Sequence, residues 1–285
     1  MSLVKKISSL LLPGRRTVSK RRNHLNSPFL SNDYPKHKLE LEEVRSILGT
    51  RTSVLKSTDF ESTRFAVYSA YLGSAEDRYY NDREHLQQPL SNMPGIFFSN
   101  SFEVLDQQQS RGWKPVHLDL EVSENPIYSN AQGKVPKMLP HLLPELEIFD
   151  FTFWFDDKLP SPPESSVLQA VNLLEKLSLP FALSEPPEPS SNILLELQRA
   201  QRQPRYLMQN QQMIDYITRE LENGGRLSRS ALYQGGLILR NMRHGRVRSF
   251  NEDWYTRSQQ CGIEDQLSLN FVTEEFEFAP LYRWY

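Results

Sequence analysis

Five consecutive residues, Phe151-Thr152-Phe153-Trp154-Phe155, are β-formers, four of them aromatic, and they run straight into Asp156-Asp157-Lys158. A short, uniformly apolar run has no polar face to turn toward water. It reads as a strand buried on both faces, as in a parallel sheet covered by helices. The two carboxylates then sit at the strand's carboxyl end, where open α/β sheets bind ligands. Paired carboxylates at such a place suit a hard divalent cation that also grips a diphosphate. The alternative is that Asp156 and Asp157 open a surface turn, which Pro160, Pro162 and Pro163 would favour.

The rest of the chain supplies partners for that strand. Arg64 to Leu72 reads as a first central strand closed by Gly73, Gly95 to Phe98 as a second, and Val116 to Leu120 as a third. The three-glycine dinucleotide fingerprint is missing after the first strand. Leu39 to Leu48 and Glu164 to Leu177 have helical spacing, the second with Val167, Leu168, Val171, Leu174 and Leu177 as its inward stripe. Tyr128 to Leu143 also reads as a helix, with Lys134, Lys137 and His141 at spacings of three and four on one face. That is either a solvated basic face or a phosphate-neutralising one. Pro180 to Leu183 is a brief strand, Leu194 to Ala200 a helix turn and Gln209 to Glu222 a helix. Leu232 to Leu239 is a strand whose Gly235-Gly236 marks either a bulge or close approach of a ligand or another backbone. Helices around Phe250 to Gln259 and Glu264 to Val272 follow, then an aromatic tail that docks on the body. Strands alternating with helices make the class α/β.

Net charge is −2 over 285 residues, so the molecule as a whole attracts no nucleic acid, and none is expected as a partner. The single cysteine, Cys261, excludes an internal disulfide and a cysteine-rich zinc site. No apolar run reaches the length of a membrane span. Residues 1–22 carry Lys5, Lys6, Arg15, Arg16, Lys20, Arg21 and Arg22, with no acid before Asp33. Ile7 to Leu12 is too short and too serine-rich for a secretory core. The expectation is a basic arm plus packing helix over 1–60, ahead of one domain over 61–285, in a cytoplasmic protein whose arm touches a membrane surface weakly at most.

The motifs resemble, in order, those of the glycosyltransferase-like domain shared by plant Golgi proteins of the mucilage-related type and bacterial capsule-locus proteins. The matching segments are Tyr68-Ser69-Ala70-Tyr71-Leu72-Gly73, Gly112-Trp113, Lys137-Met138-Leu139-Pro140-His141 and Trp154-Phe155-Asp156. Downstream come Gly236 to Arg240, Trp254-Tyr255 and Asp265-Gln266-Leu267-Ser268-Leu269. The resemblance covers residues 64 to 273 and implies a GT-A-like fold, a Rossmann-type central mixed sheet flanked by helices. It implies transfer of a sugar from a nucleotide-sugar donor to a hydroxyl of a glycan or other acceptor, in polysaccharide or glycoconjugate synthesis. By the same resemblance, Asp156, joined by Asp157, would hold a divalent manganese or magnesium ion on the donor diphosphate. Tyr68 and Ala70 would lie by the nucleotide, and Lys134, Lys137 and His141 by the phosphates. Asp265, with Glu264, would stand near the acceptor hydroxyl as the catalytic carboxylates, Asp265 as the candidate base; read from the residues alone, Asp265 is alternatively a helix N-cap.

Three positions depart from the family. Asp157 stands where a glycine is usual, Glu264 where an arginine is usual, and Leu183-Ser184-Glu185-Pro186-Pro187 replaces a segment with a His-Pro pair. They leave open a different substrate, or an inactive transferase-fold scaffold that binds carbohydrate or protein.

Overall fold

A computed structural model describes residues 38–53, 55, 64–77, 88–90, 93–156, 159, 161–184, 192–226, 233–276, 281–282 and 284. The basic arm expected over 1–22 and Asp157 lie outside the described residues.

Among the described residues seven strands form: β1 (Phe65–Ala70), β2 (Gly95–Ser99), β3 (Lys114–His117), β4 (Phe151–Phe155), β5 (Phe181–Ser184), β6 (Gln234–Asn241) and β7 (Leu281–Tyr282). They form one sheet in the order β3-β2-β1-β4-β6-β5-β7. The four strands from β3 to β4 run parallel, while β6 runs antiparallel to both β4 and β5. The sheet is therefore mixed, and β4 has a parallel neighbour on one side and an antiparallel one on the other. The fold is α/β, with helices covering the sheet.

Every residue of β4 is buried, as its lack of a polar face requires. Alternation sends Phe151, Phe153 and Phe155 into a cluster with Val167, Ala170 and Leu174 of the helix Glu164–Leu177. Trp154 points the other way, into a cluster with Tyr68, Ile238, Trp254 and Tyr255. Removing one such ring, as in Phe153→Ala, would cost about 3–5 kcal/mol. The inward stripe expected of the helix Glu164–Leu177 is narrower than the sequence suggests. Leu168 and Leu177 are 46% and 54% exposed, and Ala170 takes the inward place. A third cluster joins Ile193, Leu197, Met213, Ile217 and Phe271 at the side of the sheet. None of the described helices is long and apolar enough to cross a membrane.

Two features of this topology place a site. The chain goes from β1 outward to β2 and β3, then returns to lay β4 on the opposite side of β1. That reversal opens a crevice at the carboxyl ends of β1 and β4, the switch point of an α/β sheet. Because β6 is antiparallel, its amino-terminal residues Gly235 and Gly236 reach the same edge, and the Asp156 N–H donates to the Gly236 carbonyl at 2.8 Å. The register between β5 and β6 shifts at Leu183/Ser184, from Ile238 to Gln234, so the glycine pair lies in a bulge.

Candidate functional site

A cavity of ≈ 260 Å³ occupies the switch point. Its floor is Ala70 at the end of β1 and Asp156 just past β4. The helix Pro126–Met138 forms one wall with Lys134 and Lys137, three residues apart and so on one face. Asn125 caps that helix, its Oδ1 accepting the Ile127 N–H at 3.0 Å, and Pro126 fits the first turn. The far wall is Glu264 and Asp265 at the start of the helix Asp265–Glu275. Gly262 turns the chain into that helix with φ +110°, a conformation that suits glycine. Gln209 Oε1 clasps the turn by accepting the Ile263 N–H at 2.8 Å.

The charged groups meet across the cavity. Asp265 Oδ2 lies 2.7 Å from Lys137 Nζ and 3.2 Å from Lys134 Nζ. Lys137 Nζ is also 3.5 Å from Asp156 Oδ1, which accepts the Trp154 Nε1–H at 3.0 Å. The Lys137 ammonium lies 5.9 Å from the ring centres of both Trp154 and Trp254, within cation–π range. Burial opposes ionisation of Asp265, but the Lys134 and Lys137 ammoniums outweigh it and hold the carboxyl well below the usual carboxylate range. Burial likewise pulls on Lys137, yet Asp156 and Asp265 keep it charged with a raised proton affinity. At Lys134 burial prevails and the proton affinity falls.

The helix start also settles a local alternative. Glu264, not Asp265, occupies the N-cap position, and its side chain accepts no capping hydrogen bond. The Asp265 carboxylate is turned to the lysines instead.

Of the residues singled out by sequence, Ala70, Lys134, Lys137, Asp156, Glu264 and Asp265 line the cavity together. Tyr68 does not line it. Its hydroxyl is fully buried beneath the floor, accepts from Arg240 Nη1 at 3.0 Å, and is pushed up to about 12 by burial. His141 is also off the cavity. The helix expected to carry it ends at Met138, and Pro140 begins a separate 3₁₀ turn, Pro140–Leu142. His141 therefore leaves the face of Lys134 and Lys137 and contacts Glu252 and Asn251. Burial brings it down to about 4, against the opposing pull of Glu252.

The sequence reading missed Asp77, Glu196, Gln203, Arg205 and Tyr206, which complete the rim. The helix Ile193–Ala200 was legible only as one turn, and nothing local says that its polar edge meets a cavity formed by distant segments.

Among the described residues the cavity wall carries five carboxylates, Asp77, Asp156, Glu196, Glu264 and Asp265, against the three cations Lys134, Lys137 and Arg205. Among the described residues no three ligating side chains converge on one point. What fits a divalent cation is narrower: one strand-end carboxylate and an acidic wall. A Cβ on Gly236 would lie 3.6 Å from Asp156 Oδ2, so the glycine keeps space beside that oxygen. A magnesium-like ion held by one or two carboxylates, with substrate phosphates and water completing its shell, needs no more from the protein.

No family model and no curated protein matches the sequence. Among solved structures the chain is similar to mouse xyloside xylosyltransferase 1 in its apo form, with 9% identity over 76% of this chain and 84% of that one, TM-score 0.45. It is similar to core-mannan synthase A of Aspergillus fumigatus in a Mn/GDP form, with 12% identity over 79% and 72%, TM-score 0.39. The apo structure of the bifunctional glycosyltransferase WbbM gives 12% identity over 78% of this chain but 38% of that one, TM-score 0.32. At these identities and scores the likeness assigns neither a substrate nor a residue.

Proposed function

We propose that the chain is a GT-A-like glycosyltransferase that moves a sugar from a nucleotide-sugar to a hydroxyl acceptor. The observation that carries this is the Lys134–Asp265–Lys137–Asp156 cluster in a cavity at the switch point of the sheet. Two nearly buried ammoniums on one helical face are a ready counter-charge for a diphosphate leaving group. Charge develops on that group as the sugar departs, so fixed cations there lower the barrier.

Among the described residues the ammoniums alone do not make the cavity positive, since the lining carboxylates outnumber the lining cations. A donor that arrives with a divalent cation relieves the mismatch. Asp156, with Asp157 beside it in sequence, would hold that ion, and the ion would supply Lewis-acid stabilisation of the diphosphate. Ala70 would border the nucleotide at the end of β1. Tyr68 would support the floor from beneath, while Glu264 and Asp265 would face the acceptor side. Asp265 has a second task, keeping both lysines charged and aimed before the donor binds.

The test is release of nucleoside diphosphate from a panel of nucleotide-sugars, with and without manganese. Metal-dependent release from at least one donor is expected. The pinning of Asp265 between two ammoniums favours one rival, a scaffold that binds without turning over. That rival, a scaffold for carbohydrate or protein, predicts no metal-dependent donor binding by calorimetry and no release from any donor.

A further inference from the structure

We propose that Glu196 takes the proton of the acceptor hydroxyl, an inference that rests on the glycosyl-transfer reading. The helix Ile193–Ala200 is fixed from two sides. Asn192 Oδ1 accepts the Leu194 N–H at 2.8 Å, and Ile193, Leu197 and Ala200 are buried in the side cluster. With that face inward, Glu196 lies on the cavity wall with its side chain only 14% exposed. Its ion pair is with Arg199 of the same helix, Oε2 to Nη1, at 3.6 Å.

The cavity carboxylates are thereby sorted by chemistry. Asp265 is gripped by two ammoniums and Asp156 by an indole N–H and Lys137. A carboxylate so held is a weak proton acceptor, because protonation would break the pairs. Glu196 has the opposite setting. Burial raises its proton affinity, the Asp265 charge adds to that, and Arg199 only partly offsets it. Among the described residues the other charged groups lining the cavity are Asp77, Lys134, Lys137, Asp156, Arg205 and Glu264. A carboxylate whose proton affinity is raised by burial is better matched to general-base work than one whose proton affinity is depressed by paired ammoniums.

The step balances without a further reagent. The acceptor oxygen forms a bond to the anomeric carbon of the donor. The bond from that carbon to the diphosphate oxygen breaks, and its electron pair leaves with the nucleoside diphosphate. The acceptor's proton passes to the Glu196 carboxylate and from there to solvent. Water serves as acceptor in the same way, so hydrolysis of the donor reads the step with no acceptor identified.

The experiment compares the full-length chain with Glu196→Gln and Glu196→Asp, using the nucleotide-sugar panel with manganese. In Glu196→Gln, kcat for nucleoside diphosphate release is expected to fall at least ~100-fold. KM, calorimetric donor affinity and melting temperature are expected to hold. The acidic limb of the kcat–pH profile should vanish in Glu196→Gln and persist, at reduced rate, in Glu196→Asp. If Glu196→Gln turns over at nearly the wild-type rate with its acidic limb intact, the assignment falls while the transferase reading stands. Should the wild-type chain release nucleoside diphosphate from no donor, both fall together. Loss of donor affinity in step with kcat in both variants would assign Glu196 a structural role and overturn the inference.

Discussion

Lys137 Nζ lies 2.7 Å from Asp265 Oδ2, tying the last turn of the helix Pro126–Met138 to the first turn of the helix Asp265–Glu275. Lys134 adds a second ammonium to the same oxygen at 3.2 Å. Breaking a buried pair from one side leaves an uncompensated charge, which costs about 3–5 kcal/mol. Asp265→Asn leaves two nearly buried ammoniums without their shared anion. Urea unfolding at neutral pH should therefore show a loss of that order. The folded-state proton affinity of Asp265 is depressed, so its contribution is present above the unfolded value of about 4 and is lost as pH falls below it. Wild type and Asp265→Asn should converge in stability at acid pH.

The reach of the sequence can be judged from this cluster. Periodicity alone puts Lys134 and Lys137 on one helical face, and the aromatic run alone puts Asp156 at a strand end. Helical period and strand burial are local properties. What brings Asp265 between those lysines is the glycine turn at 262 and its clasp by Gln209, contacts between segments far apart in sequence. The same holds for β6, whose antiparallel run delivers Gly235 and Gly236 to Asp156. His141 fails for a local reason that the sequence did contain. Pro140 ends the helical register, so counting residues past it no longer counts helical face.

His141 makes a pH prediction of definite sign. It is brought down to about 4 in the folded chain, chiefly by burial, while the unfolded chain titrates near 6.5. Between those values the unfolded state binds the extra proton, so stability falls as pH drops from about 6.5 to about 4. The loss is at most roughly 3 kcal/mol. In His141→Asn the stability–pH curve should be flatter over this window; an unchanged slope would remove His141 as its source.

Arg240 is fully buried and donates to three acceptors, Tyr68 Oη at 3.0 Å, Asn251 Oδ1 at 3.1 Å and the Lys137 carbonyl at 2.7 Å. The last is a carbonyl of the final helical turn, which the helix itself leaves without a partner. The planar guanidinium fork reaches all three, and a lysine ammonium cannot. Arg240→Lys should destabilise by about 2–4 kcal/mol, the cost of buried acceptors left unmade. Thermal unfolding checks this, with Arg243→Lys as an exposed control expected to change little.

The glycines of β6 separate space from stability. A Cβ on Gly236 would come 2.6 Å from Leu159 Cδ1, the mobile end of a side chain, and would fill room beside Asp156 Oδ2. Gly236→Ala should leave the melting temperature nearly unchanged, because Leu159 can yield. It should weaken donor binding roughly tenfold or more, the scale of one misplaced methyl in a tight pocket. Calorimetry with the donor and manganese reads the difference. Equal affinity in the variant would show that the space beside Asp156 is not part of the donor site.

Asp156→Asn isolates the strand-end carboxylate. The carboxamide oxygen can still accept the Trp154 Nε1–H, and Lys137 keeps Asp265 as its nearer partner. The fold should therefore survive with a small loss of stability. What disappears is the negative charge that would hold a divalent cation at the donor diphosphate. Losing one fixed stabiliser of developing charge costs about a hundredfold to a thousandfold in rate. Nucleoside diphosphate release should fall by at least that much, and the dependence of donor affinity on manganese should vanish with it. If release falls while the manganese dependence stays intact, the ion is held elsewhere and Asp156 acts only through its contact with Lys137. If neither changes, the end of β4 is a surface turn, and the carboxylate pair read there from the sequence plays no part in the chemistry.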